Sequence, residues 1–333
     1  MNRHWPSVGV IIPNHNRVDE LCQAVASVEA QQYEGTIRIY IVYLERPGIA
    51  DTLLTLGNVR TLPSCDEDGR NSIAVKRNIA IDTSTEDLIA LLDDDDVWHP
   101  LKLKMQVEAF TASRRSLAVG TRLLDFSEQP RWNVLSGDEG YHDCSRYQVA
   151  TGRRVGTSSL LIDGPTARTL RFDERPEWLG VEDLDFKLRL SRLSEIRELE
   201  GKYTGYRIEQ ASISVAESTL LRAVNVLAAA AERNTPRLSE RLAAIRLLLI
   251  STFGGYSPIS ESHGCIDQAR EDFLECTLDG RLFGRIDPLV FRVVRMGWRK
   301  GWRARPVRTT TRVFVAITSR LARLINVKQR FPS

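Results

Sequence analysis

The feature that most restricts how this chain can fold is an apolar run, Leu88 to Leu92, that passes without a spacer into four aspartates, Asp93 to Asp96. A short continuous apolar run reads as a strand buried on both faces, and such strands belong to parallel sheets covered by helices. Four adjacent carboxylates repel one another unless a cation or solvent relieves them. In an open α/β sheet, ligands bind outside the carboxyl ends of the strands, where this cluster would sit. Alternate residues at a strand end point to opposite sides, so Asp93 and Asp95 can face one ligand together. Two hard carboxylate oxygens suit Mg2+ or Mn2+ bridging a diphosphate. The competing reading is an acidic loop that favours the dipole of a helix beginning near Pro100. Four carboxylates exceed what a cap needs.

The flanking sequence alternates short β-branched runs with helical patterns, which predicts a mostly parallel α/β sheet. Val8–Ile12 reads as a buried strand ended by Pro13. Asn16 can cap a following helix, in which Leu21, Val25 and Val28 recur at helical spacing. Ile37–Val42 and Asn58–Leu62 read as further strands, the second weaker, and Ser72–Ile81 as a helix. Leu117–Phe126 and Thr157–Ile162 are read as strands, and Glu182–Leu193 as a helix. Residues 127–154 form a polar stretch with Gly, Trp and Tyr but no period, which is a long loop for a compact domain and suggests function or mobility. From Val215 to about Phe253 the chain turns Ala- and Leu-rich and helical, so a soft boundary falls near Ile213. The expected organisation is one α/β domain over 1–213, with halves of about 1–100 and 101–213, followed by a helical region over 214–333.

Composition narrows the class. A chain of 333 residues suits one large domain or two packed ones, and 42% hydrophobic with 27% charged residues argues against wholesale disorder. The five cysteines are scattered without metal or redox spacing, so neither a disulfide scaffold nor a zinc finger is expected. The run Val8–Ile12 is too short for the core of a secretory leader. No stretch approaches the roughly 20 apolar residues of a membrane span, so a cytoplasmic setting is expected. The net charge of +3 hides an asymmetry: from Arg285 onward there are 13 Lys and Arg against the single acid Asp287, a local +12 that leaves −9 elsewhere. With Trp298, Trp302 and Phe314 interleaved, this basic tail suits peripheral attachment to an anionic membrane surface, a protein contact, or packing on the core. No nucleic-acid recognition motif accompanies the charge, so nucleic acid is not expected as a partner.

A second acidic group, Glu182, Asp183 and Asp185, follows Trp178-Leu179-Gly180. Acids are common in first helical turns, so alone it says little. Beside a metal-bound diphosphate, one of these carboxylates can act as a general base toward a hydroxyl.

Together these segments resemble a known family. Val10-Ile11-Ile12-Pro13 with Asn16-Arg17 resembles the opening of the inverting GT-A glycosyltransferases of family two, and Ala74 to Ala80 resembles their alanine-arginine-asparagine helix. Leu91 through Pro100 is similar to their metal-binding motif with its trailing tryptophan and proline. Thr157 to Ile162 resembles the acceptor-side strand, and Phe172-Asp173-Glu174 with Glu182 to Leu190 the catalytic segment. The matches occur in family order across about Val8 to Arg192.

The resemblance implies a Rossmann-like GT-A domain that moves a sugar from a nucleoside diphosphate donor to a hydroxyl acceptor with inversion, in glycan, glycolipid or polysaccharide synthesis. It implies Asp95, helped by Asp93, as ligands of Mn2+ or Mg2+, and Asp94 near the donor ribose or sugar. Arg77 would lie near the nucleotide, while Pro13, Asn16 and Arg17 would border its base pocket. Asp183 would be the base, with Glu182 positioning the acceptor or replacing it. A UDP-sugar is the first choice of donor, and a glycan or lipid-linked molecule the expected acceptor.

One departure stands out. The family's second strand commonly ends in paired aspartates that meet the base, whereas here Tyr43-Leu44-Glu45-Arg46 follows Val42. Glu45 can substitute from a shifted position and Tyr43 can stack on a base, so dTDP- and GDP-sugars also stay open. Asn14-His15 replaces a more usual threonine-tyrosine pair, and His15 is read as a wall or surface residue. Two other classes stay open. One is a non-catalytic GT-A-like binding protein, favoured by the altered second strand. The other is a nucleotidyltransferase-like enzyme, which would want a glycine-rich phosphate loop that is not visible here.

Overall fold

The computed structural model describes residues 5–44, 51–64, 72–113, 116–132, 140–144, 149 and 155–208. Glu45, much of the 127–154 stretch, the boundary near Ile213, the helical region beyond it and the basic tail lie outside the described residues.

Among the described residues nine strands form one sheet: β1 Val8–Pro13, β2 Ile37–Tyr43, β3 Val59–Pro63, β4 Leu88–Leu91, β5 Val97–Trp98, β6 Ala118–Phe126, β7 Tyr141–Cys144, β8 Leu161–Asp163 and β9 Ile196–Arg207. Their spatial order is β3-β2-β1-β4-β8-β6-β9-β5, with β7 also on β9. The helices are α1 Val18–Glu29, α2 Asp51–Leu54, α3 Ile73–Thr83, α4 Lys102–Ala112, α5 Gly164–Leu170 and α6 Glu182–Leu193. Among the described residues no helix is long and apolar enough to cross a membrane.

The first half of the sheet is parallel, as its sequence predicts: β1 pairs with β2 and β4, and β2 with β3. Period-two alternation places Val8, Val10, Ile12, Ile39, Ile41, Leu88 and Ala90 in one core with Leu21, Ala24, Val25 and Val28 of α1. The helix α3 packs against β1 and β2. The second half is mixed rather than parallel. β8 runs antiparallel to both β4 and β6, and β5 and β7 run antiparallel to β9. Antiparallel neighbours need no helical crossover, which lets strands of two to four residues join the sheet here.

Two local expectations change. Thr157–Ser159 is a 3-10 turn, and the strand begins only at Leu161. The α1 N-cap position falls on Arg17, not Asn16. Asn16 adopts φ +62 and donates its N–H to the Asn14 side-chain oxygen at 3.1 Å. Asn tolerates the left-handed region better than most residues, so this turn throws Arg17 toward the ends of the strands.

A buried polar cluster joins β5 and α4 to that 3-10 turn. The Trp98 indole N–H donates to the Ser158 carbonyl at 2.9 Å. Gln106 donates to the carbonyls of Val119 at 2.6 Å and Ser159 at 2.8 Å, and accepts from Lys102 Nζ at 2.6 Å. Lys102 is fully buried, with its ammonium 3.8 Å from the Trp98 ring centre. Burial drives its pKa well below 10.5. The unfolded chain therefore binds the proton more readily than the folded one, and this group adds stability as pH rises from its folded pKa to 10.5. Urea midpoints measured across pH should show the wild type gaining on Lys102→Met through that window. Parallel curves would mean that the buried amine is not driven toward neutrality.

Candidate active site

The four aspartates leave β4 in a β-turn closed by the Asp96 N–H on the Asp93 carbonyl at 3.1 Å. Asp94 and Asp96 are 2% and 1% exposed, whereas the side chains of Asp93 and Asp95 are 29% and 25% exposed. The acidic run is thus two buried anchors alternating with two accessible carboxylates. Asp96 accepts the Arg207 N–H at 2.9 Å and a bond from Ser158, which ties the turn to the end of β9. Asp94 accepts the His15 N–H at 2.6 Å and the Asn14 amide at 3.4 Å. Burial, opposed by that N–H, pushes the Asp94 carboxyl up to about 7. Buried Lys76 holds the same loop by donating to the Asn14 carbonyl at 2.6 Å.

The two accessible carboxylates each meet an arginine. Arg17 pairs with Asp95 and lies 3.6 Å from Asp94. Burial and the charge of Asp93 raise the Asp95 pKa even against Arg17, so negative charge at this turn is incompletely compensated. Arg77 donates to Asp93 at 2.7 Å and to Glu182 at 3.0 Å. It is almost fully buried, its guanidinium carbon 5.1 Å from the Phe172 ring centre, and among the described residues its Nε has no hydrogen-bond partner. Asn78, next on α3, clamps the 172–174 segment by bonding the Phe172 N–H at 2.8 Å, the Phe172 carbonyl at 2.9 Å and Glu174 at 2.7 Å. One helix therefore fastens the acidic turn and the α6 approach together.

At the start of α6, Glu182 is buried, with one oxygen on Arg77 and the other accepting the Gly180 N–H at 2.8 Å. Gly180 has φ +81, a conformation that costs glycine little. Both Glu182 oxygens are engaged inside the protein, because a buried carboxylate must be paired. Asp183 keeps a side chain 30% exposed and accepts from Lys187 at 2.7 Å and Thr157 at 2.9 Å. Burial raises its pKa, but Lys187, Arg77 and the Thr157 hydroxyl together outweigh that and bring it to about 2.

The structure thus gathers these residues into two bonded sets on adjoining positions of the acidic turn, Arg77 with Asp93 and Glu182, and Arg17 with Asp94 and Asp95. Pro13 is buried at the end of β1, Asn16 is exposed in the adjoining loop, and Tyr43 is half-buried at the end of β2. Sequence reasoning gave no role to Lys76, Thr157, Ser158, Lys187 or Arg207. One signal was available for Lys76: α3 has too few large apolar residues to form a stripe, so its polar side chains must be buried and engaged.

Replacing Arg77 should expose the cost of this design. Breaking a buried pair from one side costs about 3–5 kcal/mol, because the partner charge is stranded. Arg77→Met should lose stability on that scale in urea denaturation, and adding Glu182→Gln should restore part of it. An equal loss in the single and double variants would show that no stranded charge is involved.

Residues 65–173 match the family model described as Glycosyl transferase family 2. That span contains the α3 helix, the acidic turn and Thr157–Ile162, while the β1 opening and α6 lie outside it. A curated relative described as an N-acetylglucosaminyltransferase, from Mesorhizobium japonicum, is 32% identical over 133 residues. That match covers 35% of this chain and only 30% of the relative. Among solved structures, S. aureus TarS in complex with UDP-GlcNAc superposes with a TM-score of 0.64 at 15% identity, covering 92% of this chain and 91% of that one. The complex of the same protein with UDP gives 0.63 at 14% identity, with the same coverage. Motifs, family match and fold coincide: the described domain has the GT-A fold, and residues 65–173 at its centre match the family-two glycosyltransferase model.

Proposed function

We propose that this chain is an inverting glycosyltransferase that moves a sugar from a nucleoside diphosphate to a hydroxyl acceptor with the help of a divalent cation. The observation that carries this reading is the Arg77 bridge. It joins Asp93 of a strand-end acidic turn to Glu182, one residue before an accessible carboxylate, Asp183. A donor-side cation site and a proton acceptor thereby share one frame. The donor class is supported by the UDP-GlcNAc complex of the similar fold and by the name of the curated relative, which makes UDP-GlcNAc the first donor to test.

The residues present fit Mn2+ or Mg2+. Asp93 and Asp95 are hard, accessible oxygen donors at a turn whose negative charge is incompletely compensated. Among the described residues no third His, Cys, Asp or Glu joins them in a cluster, so diphosphate oxygens and water would fill the remaining positions. A bound cation supplies Lewis-acid stabilisation of the departing diphosphate. Arg77 holds Asp93 in place, and Arg17 holds Asp95. Asp183, with its pKa near 2, is ionised throughout the working range and can take the acceptor's proton. The bond from the anomeric carbon to the acceptor oxygen forms as the bond to the phosphate oxygen breaks. The electron pair leaves with the nucleoside diphosphate.

A hydrolysis and transfer screen with UDP-GlcNAc, other UDP-sugars, dTDP- and GDP-sugars, each with Mn2+, tests the reading and names the donor. Asp95→Ala should lose Mn2+-dependent turnover yet melt no earlier than the wild type without metal, because a source of repulsion has gone. Full activity in that variant would remove Asp95 from the metal site. Asp183→Asn should cut kcat by about 10²-fold or more while leaving calorimetric donor affinity unchanged, since a base acts in the transition state. Lost donor binding would instead place Asp183 on the donor side.

A further inference from the structure

The pairing of Asp183 is one-sided. Both of its hydrogen bonds fall on Oδ2, from Lys187 Nζ at 2.7 Å and from Thr157 Oγ1 at 2.9 Å. Among the described residues no hydrogen bond reaches Oδ1. Lys187 stands one turn along α6 from Asp183 and its side chain is only 7% exposed, so its ammonium is withdrawn from solvent and committed to this carboxylate.

Thr157 comes from a different element, and that element is unusually well fixed. Its neighbour Ser158 accepts the Asp93 N–H on its hydroxyl at 3.1 Å and the Trp98 indole N–H on its carbonyl. The 3-10 turn therefore touches the acidic turn through Ser158 and the α6 carboxylate through Thr157. Val155, just before the turn, has φ +67, which for a β-branched residue costs on the order of 1–3 kcal/mol. Buried Glu198 accepts its N–H at 2.8 Å, and a Cβ on neighbouring Gly156 would come within 2.7 Å of Leu123. Strain persists where the surroundings over-determine it, and here it delivers Thr157 to a single place.

We propose that Thr157 and Lys187 are positioning residues that pin Oδ2 of Asp183 and leave Oδ1 as the atom that takes the acceptor's proton. This rests on the transferase reading above. The charged groups acting on Asp183 are Lys187 and Glu182 from α6 and Arg77 from α3, with the neutral Thr157 hydroxyl from the turn. The arrangement exchanges basicity for orientation: a carboxylate held well below its ordinary range is a weak base, yet its free oxygen has a fixed direction.

The two contacts separate by substitution. Thr157→Val removes one hydrogen bond without changing charge. It should lower kcat about tenfold at unchanged donor KM, with recovery in Thr157→Ser. Lys187→Met removes the principal counter-charge. The Asp183 carboxyl, followed by 13C NMR in Asp-labelled full-length protein, should then titrate at least one pH unit higher. An acid limb should enter the kcat/KM profile at the same pH, and Lys187→Arg should retain the wild-type titration. An unshifted titration in Lys187→Met, or undiminished kcat in Thr157→Val, would overturn the proposal. The titration needs no substrate. A shifted Asp183 signal in a chain that turns over none of the nucleotide sugars would overturn the transferase reading and leave the pinning intact.

Discussion

The site depends on a single guanidinium. Arg77 sits almost fully buried between Asp93 and Glu182, and without it two carboxylates from distant parts of the chain would repel across a desolvated gap. With it, the end of β4 and the start of α6 hold a fixed separation. Desolvation works against the arginine, but the surrounding carboxylates outweigh it and the net shift of its pKa is upward. The Phe172 ring covers one side of the guanidinium and is itself stacked on Phe186 at 4.2 Å, so the ion pair is sealed by apolar surface from the segment that Asn78 clamps. The alanine-arginine-asparagine motif is thereby explained physically. The alanine permits close packing on the sheet, the arginine bridges the acids, and the asparagine fastens the loop that covers the bridge.

Four consecutive aspartates then cease to be redundant. A β-turn gives each carboxylate its own surroundings, and the sequence Asp-Asp-Asp-Asp becomes four tasks. Asp94 fixes the β1 loop that carries Arg17, and Asp96 fixes the end of β9. Asp93 and Asp95 remain on the accessible side. Burying two of the four is costly, and the cost appears as raised pKa values for Asp94 and Asp96. Functional sites often retain such unfavourable groups because neighbouring structure holds them in place.

Much of this was legible from period and polarity. The apolar run into the aspartates locates β4 and the acidic turn that follows it. The short β-branched runs Val8–Ile12 and Ile37–Val42 mark the core strands, and those strands are parallel as their pattern predicts. The α6 helix spans Glu182–Leu193, the same residues as the sequence reading gives. What escaped depends on contacts made far along the chain. β9 is dotted with Glu, Lys and Arg, and buried Glu198 is intelligible only once Val155 is seen to need its carboxylate. Thr157–Ser159 looked like strand because nothing local reveals that its carbonyls and hydroxyls are spoken for by Trp98, Gln106, Asp93 and Asp183. The partition between Glu182 and Asp183 was likewise invisible. Adjacent acids in a first helical turn differ only in which way the helix aims them.

That difference of aim divides the chemistry between the two residues. Successive residues on a helix are about 100° apart, so if one acid faces the packed interior the next is turned well away from it. Glu182 takes the interior and becomes the counter-ion of Arg77, while Asp183 keeps an accessible face and pairs with its own cation, Lys187, one turn on. Because Lys187 lies on the same helix, that pairing follows from helical geometry rather than from tertiary packing. Thr157 adds the tertiary contact. The acidic turn and the start of α6 are therefore held by two links, Arg77 through α3 and Thr157-Ser158 through the 3-10 turn. Neither link alone would fix both the distance and the direction that a proton transfer needs.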